Sequence, residues 1–278
     1  MAGPTEVPPE IIDHYSKADE RGRLSLGVGL VERARTGEML CRHLPPPPAR
    51  VLDVGGAAGV HALPLARAGY DVHLLDPVPR HVEQAKEASA AQGDHPLGGV
   101  RLGDARRLPD PDASADAVLL LGPLYHLTGE ADRLRALSES RRVVRPGGVV
   151  FAAGISRFAS MLDGLFRGGI DDPAFARIVE ADLALGVHRN PSDRLEWFTT
   201  AYFHRPEELR AELGAAGLDV VTVVGLEGPL WLLPDLDARW ADASARERLL
   251  SLVRTVETQP SLLGLSAHIL AVGRRPRA

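Results

Sequence analysis

Between residues 50 and 155, short apolar runs alternate with longer amphipathic ones, and this alternation restricts the fold more than any other feature of the chain. Segments 51–54, 71–75, 100–102, 115–121 and 149–153 read as strands, and 58–68, 80–91 and 131–144 read as helices. The run at 115–121 is apolar on both faces, as a strand in the middle of a parallel sheet must be. Parallel neighbours need crossover helices, and these are right-handed. The expected fold is therefore α/β: Rossmann-like, doubly wound and mostly parallel, with an antiparallel last strand.

Outside this stretch the order changes. Helical patterns occupy 9–20 and 28–43, and the proline run at 45–48 stops the second. The Pro-rich residues 1–9 are expected to lack order. Residues 155–200 read as two or three helices with no strand of the parallel set. A helix at 206–216, a strand at 218–226, a helix at 246–256 and a strand at 265–272 follow. This divides the chain into an N-terminal helical lid, 1–48, and a Rossmann-like domain, 49–278, with a cap inserted at about 155–204.

Composition removes several function classes. The 278 residues carry 37 acidic and 32 basic side chains, a net charge of −5, which offers no electrostatic footprint for nucleic acid or an anionic membrane. Arg141–Arg142 reads as part of a solvated helix face and Arg274–Arg275 as part of a ragged C-terminus. The single cysteine, Cys41, permits neither an internal disulfide nor a cysteine metal cluster, and it suits a reducing cytoplasm. The N-terminus has neither a basic start nor an apolar run, and no apolar stretch is long enough to span a bilayer. No His/Asp/Glu cluster stands at metal-ligand spacing, so no divalent cation is expected. The chain is expected to be a monomer or homodimer acting on a small molecule.

The first strand runs into Asp53-Val54-Gly55-Gly56-Ala57-Ala58-Gly59. Glycines there allow a sharp strand-to-helix turn and close approach of a ligand to the backbone. The nicotinamide fingerprint G-x-G-x-x-G fails, because Ala57 and Val60 occupy its later glycine positions. The pattern D-x-G-x-[GA]-x-G fits throughout. Asp76 ends the second strand, 21 residues after Gly55, where a carboxylate can accept both hydroxyls of a ribose.

The loop, Asp76, the segment Gly103-Asp104-Ala105 and the Pro-Gly-Gly turn at 146–148 together resemble class I S-adenosylmethionine-dependent methyltransferases over about residues 50–155. That resemblance implies S-adenosylmethionine as cofactor. It implies contacts from Asp53, Gly55, Gly56, Ala57, Gly59, Asp76, Pro77, Asp104, Ala105, Arg106 and Leu121. Tyr15 on the first helix would close over the cofactor. Arg35 would meet its carboxylate or, one turn from Glu32, pair with that residue.

Strand four ends in Leu121-Gly122-Pro123-Leu124-Tyr125-His126-Leu127, in place of the Asn/Asp-Pro-Pro-Tyr/Phe motif of amino-methylating enzymes of nucleic acid and glutamine. Tyr125 and His126 are candidates for the acceptor site. His126, Tyr15 and His188 are the candidate catalytic residues, since histidine titrates near neutral pH. Phe158, Leu162, His188, Trp197, Phe198, Tyr202 and Trp231 are candidate acceptor walls, being concentrated aromatic and apolar groups in a chain only 5% aromatic. The N-terminal helices, the Leu-Gly-Pro-Leu-Tyr-His-Leu segment and the helical insert resemble the stand-alone UbiE-like methyltransferases of actinobacteria, many of which act in secondary metabolism. An aromatic or heteroaromatic metabolite methylated on carbon, nitrogen or oxygen is the implied acceptor. The competing readings are a nicotinamide-dependent oxidoreductase, which lacks a clear Tyr-x-x-x-Lys pair here, and a cofactor-binding protein without chemistry.

Overall fold

A computed structural model describes residues 8–17, 20–192 and 194–277 of the chain. Most of the Pro-rich N-terminal segment thus lies outside the described residues. Nine strands form one sheet: β1 (Arg50–Val54), β2 (Asp71–Asp76), β3 (Gly99–Leu102), β4 (Ala115–Leu120), β5 (Val144–Ser156), β6 (Val187–His188), β7 (Ala201–His204), β8 (Asp219–Gly225) and β9 (His268–Arg274). Strands β3-β2-β1-β4-β5 run parallel. β9 then lies antiparallel against β5, and β8 antiparallel against β9.

Side-chain alternation splits the core between the two faces of this sheet. Leu52, Val54, Val118, Leu120, Val150 and Ala152 point to one face, where Leu137, Leu209 and Leu213 cover them. Val51, Leu74, Ala117, Leu119 and Phe151 point to the other, beneath Met39, Leu40, Leu65 and Ala85. Helix Val28–His43 is thus packed on the sheet, while helix Pro9–Lys17 stands over the sheet's carboxyl edge through Ile11 and Tyr15.

Three expectations change. The helix expected at 58–68 spans only Ala62–Arg67. Ala57 and Gly59 adopt left-handed backbone (φ 47° and 88°), which a helix cannot continue through. The Pro-Gly-Gly turn lies inside β5, where the register jumps from Ala115↔Val144 to Ala117↔Val149. The insert does contribute to the parallel set, because β7 extends the sheet past β5 by the pairs Ile155↔Phe203 and Ser156↔His204. β7 is short and aromatic, so its sequence resembles a pocket wall more than a strand. Elsewhere the insert carries helices at Ala159–Arg167 and Pro173–Leu185, and β6 pairs antiparallel with β7. Among the described residues no helix is long and apolar enough to cross a membrane.

Candidate active site

Open α/β sheets bind ligands outside the carboxyl ends of their strands. Here that edge holds a cleft of about 1080 Å³, counting the space at its mouth. Its floor is the β1 loop, the ends of β2 and β4, and the segment after β3. Its roof is the N-terminal region, through Pro8, Ile11, Tyr15, Arg23 and Leu24.

The glycine loop bends because residue types allow it. Gly55 has φ 70°, and a Cβ there would meet Pro123 Cδ at 2.6 Å. A Cβ on Gly56 would stand 2.5 Å from Asp53 Oδ2. The loop is thereby pressed onto Asp53, whose Oδ2 is buried without a hydrogen-bond partner. Burial, and then the nearby Asp76 charge, pushes the Asp53 carboxyl up to about 7. An unpaired buried acceptor on the cleft wall suits a ligand that brings a cationic donor.

Asp76 is buried and tied down. Oδ2 accepts from the Ala57 N–H at 2.9 Å, and Oδ1 from the Val78 N–H at 2.8 Å and from His81 Nδ1 at 3.2 Å. Asp104 is held by Arg106, whose backbone N–H (2.8 Å) and guanidinium both reach it, and Arg106 also pairs with Asp132 at 3.1 Å. Asp104 and Ala105 line the cleft. Arg106 is not among the lining residues and acts as a brace behind them. Pro77 and Leu121 lie on the wall, whereas Gly59 faces a neighbouring outer groove.

Toward the roof, His126 ends the short helix Pro123–His126. Its Nδ1 lies 3.1 Å from the Thr200 carbonyl, which can only accept, so the proton sits on Nδ1. Nε2 then accepts from the Tyr15 hydroxyl at 2.6 Å. Burial holds this imidazole down at about 4, so the ring is neutral around pH 7. Tyr125 and Phe198 pack on it, with ring centroids 4.8 Å and 5.7 Å away. The N-terminal helix docks on the same corner, where Thr199 Oγ1 donates to the Glu10 carbonyl and Thr200 Oγ1 to the Glu10 carboxylate.

Several expected residues are drawn elsewhere. Arg35 does not pair with Glu32. It is fully buried, bound to Glu38 and Glu257, and away from the cleft. His188 lies inside the cap, with Nδ1 at 2.8 Å from Asp182 and Nε2 donating to the Trp197 carbonyl. Trp197 packs on Phe175 and beneath Arg194. Tyr202 has the Arg133 guanidinium 3.6 Å from its ring centroid and bonds Glu208. Phe158 presses on Gly264, and Trp231 donates to the Leu265 carbonyl. These residues, Leu162 and Phe198 are absent from the cleft lining, Phe198 lying against His126 and Tyr125 instead. For His188, Trp197 and Tyr202, partners in or beside the cap claim the side chain.

The cleft also holds residues that sequence reading passed over: Arg23, His61 and His81, beside Glu32. Arg23 chelates Glu32 (2.7 and 3.1 Å). Burial disfavours the Glu32 charge, yet Arg23 and His268 hold its carboxyl at about 2. Burial lowers His61 to about 4. Behind Glu32, His268 Nδ1 lies 2.6 Å from Glu227, and these two carboxylates outweigh burial and raise the imidazole. Folding thus gathers Glu32, Glu227 and His268, a set that no spacing in the sequence shows. The expectation that no such cluster would form does not hold for the folded chain, although Glu32 is paired with Arg23 and Glu227 with His268.

A parallel sheet with a glycine loop, an acidic group at the end of β2 and a second after β3 defines an α/β enzyme that binds a nucleoside cofactor. The comparisons with known proteins make this specific. Residues 52–152 match the family model described as a methyltransferase domain. The chain is 30% identical over 275 residues to the ubiquinone biosynthesis O-methyltransferase of Methylocella silvestris, covering 89% of this chain and 98% of that protein. Among solved structures it is similar to a putative methyltransferase of Haloferax volcanii in complex with its Trm112 activator (TM-score 0.59, 20% identity, 96% of this chain and 98% of that one). It is also similar to the [4+2]-cyclase SpnF (TM-score 0.57, 19% identity, 94% and 86% covered), a reminder that the fold alone does not set the reaction. The chain belongs to the class I S-adenosylmethionine-dependent methyltransferases, and S-adenosylmethionine is its cofactor.

Proposed function

We propose that the chain methylates a hydroxyl group on a small aromatic metabolite, with His126 as the proton acceptor. The observation that carries this reading is the neutral His126 imidazole, its Nε2 lone pair fixed toward the cleft and already holding a phenol, that of Tyr15. The rings of Tyr15, Tyr125 and His126, with Phe198 packed behind the last two, give the flat, mostly apolar wall that an aromatic acceptor prefers. The relative from Methylocella is named an O-methyltransferase. The resemblance to stand-alone UbiE-like enzymes favours a role in secondary metabolism, and the exposed free thiol of Cys41 favours the cytoplasm.

When bound, S-adenosylmethionine supplies an activated methyl group on a sulfonium. The protein's share is to hold the cofactor, orient the acceptor and receive a proton. In this reading Asp53 takes the cofactor's ammonium, Asp76 its ribose and Asp104 with Ala105 its adenine. The loop from Gly55 to Ala57 admits it close to the backbone. An acceptor hydroxyl competes with Tyr15 for His126 Nε2. Its proton passes to that nitrogen as its oxygen gains the methyl group, and burial of the ring favours release of the proton once product leaves. Helix Pro9–Lys17, with Arg23 and Leu24, serves as the lid that excludes water. Positioning supplies most of the effect, since intramolecular alignment can remove about 7–11 kcal/mol of barrier.

Incubation with methyl-labelled S-adenosylmethionine, EDTA and matched phenols and anilines tests the reading by product analysis. Label on phenolic oxygen, undiminished by EDTA, is expected. Label confined to nitrogen or carbon, or turnover that needs added Mg²⁺, contradicts it.

A further inference from the structure

An ionised carboxylate offers about four lone-pair directions. Asp76 has spent three of them, on the Ala57 and Val78 N–H groups and on His81 Nδ1. A ribose brings two hydroxyl donors, so Asp76 by itself leaves one without an acceptor. His81 stands in the first turn of helix Pro79–Ala90, on the same wall of the cleft, and is 4% exposed. Its Nδ1 faces a carboxylate that can only accept, so in the neutral ring the hydrogen is on Nδ1 and the lone pair on Nε2. Nε2 is buried and has no hydrogen-bond partner, with the Tyr15 ring packed edge-on against the imidazole at 5.4 Å. Among the described residues, only two cleft-lining side chains carry such a buried, unpartnered atom: Asp53 and His81. A native fold rarely leaves a buried polar atom unmatched unless something outside the chain matches it.

We propose that His81 is the second hydroxyl acceptor for the cofactor's ribose, beside Asp76. Asp76 fixes the tautomer, and the tautomer aims a lone pair at a donor that Asp76 cannot serve. The inference rests on the reading of Asp76 as the ribose site, and the test separates the two.

Calorimetry with S-adenosylhomocysteine and its 2′-deoxy and 3′-deoxy analogues reads each hydroxyl in turn. The wild type should lose about tenfold in affinity with either hydroxyl removed, the worth of one hydrogen bond. His81→Phe should bind S-adenosylhomocysteine about tenfold more weakly and become indifferent to the loss of one hydroxyl while still sensing the other. If His81→Phe senses both hydroxyls as the wild type does, the proposal fails and the Asp76 reading stands. If the wild type senses neither, the ribose lies elsewhere and both fail. A measurement without any variant guards against misfolding. In protein labelled with ¹⁵N-histidine, the Nε2 resonance of His81 should shift on adding S-adenosylhomocysteine, and should not shift with the analogue that lacks the matched hydroxyl. The same shift with all three ligands, or with none, overturns the assignment.

Discussion

His126→Ala is expected to lower kcat by about 10²–10⁴-fold, the usual contribution of a positioned general base, while affinity for S-adenosylhomocysteine stays within about twofold because the nucleoside contacts are assigned elsewhere. The variant removes the only imidazole whose free lone pair meets a hydroxyl in this cleft among the described contacts. Its pH signature is as informative as its size. An ordinary histidine would impose an acid limb near 6.5 on the rate. Burial holds His126 at about 4 in the free protein, so the wild-type kcat/KM should show no limb from this group between pH 8 and about 5. Steady-state and pre-steady-state rates on the same phenol check both points. Near wild-type kcat in the variant would mean that the acceptor arrives already nucleophilic and is only held in place.

Asp53→Asn is expected to act in opposite directions on binding and on stability. The Asp53 carboxyl, raised to about 7 in the folded protein, has an ordinary value of 3.8. A raised acid prefers its neutral form when folded, so the free protein loses stability as pH rises from about 4 to 7 and carries the full penalty above that. Asparagine removes the penalty. The free variant should therefore be more stable than the wild type at pH 8, by about 1–3 kcal/mol, and no more stable at pH 4. Binding runs the other way. A cofactor ammonium selects the ionised carboxylate, so wild-type affinity for S-adenosylhomocysteine should rise with pH through 7 and level off above it. The variant should be flat across that range and weaker at pH 8 by about 1.5–3 kcal/mol, one charge-assisted hydrogen bond. Denaturant titrations and calorimetry at pH 4, 6 and 8 give all these quantities. Equal pH dependence in the two proteins would place the ammonium away from Asp53.

What the sequence makes legible here is what short-range chemistry determines. The loop at 53–59, Asp76 at the end of β2 and Asp104 after β3 follow from strand ends and glycine positions, and all reach the cleft or its neighbouring groove. Tyr125 and His126 follow from the end of β4 in the same way. Helix Val28–His43 was legible to the residue because its apolar period and the proline run bound it. The cap was not legible at the level of side chains. Trp197 and Phe198 are adjacent, yet Trp197 packs on Phe175 while Phe198, in left-handed backbone at φ 66°, packs on His126. Aromatic density reveals that rings are buried, not which side of the cap they face. Arg35 and Arg23 show the same limit. The choice between them depends on Glu257, more than two hundred residues away, which claims Arg35. The tautomer of His126 depends on Thr200, placed by β7, the strand least visible in the pattern.

The central claim is that the acceptor hydroxyl meets His126 in the place now held by Tyr15. A crystal structure of the protein with S-adenosylhomocysteine and a phenol that it methylates measures this directly. The predicted result is a phenolic oxygen within hydrogen-bond distance, roughly 2.6–3.2 Å, of His126 Nε2, with the Nδ1 bond to Thr200 intact and the Tyr15 hydroxyl displaced from the nitrogen. A phenol bound against Trp197 and His188 in the cap, with Tyr15 still bonded to His126, would contradict the account.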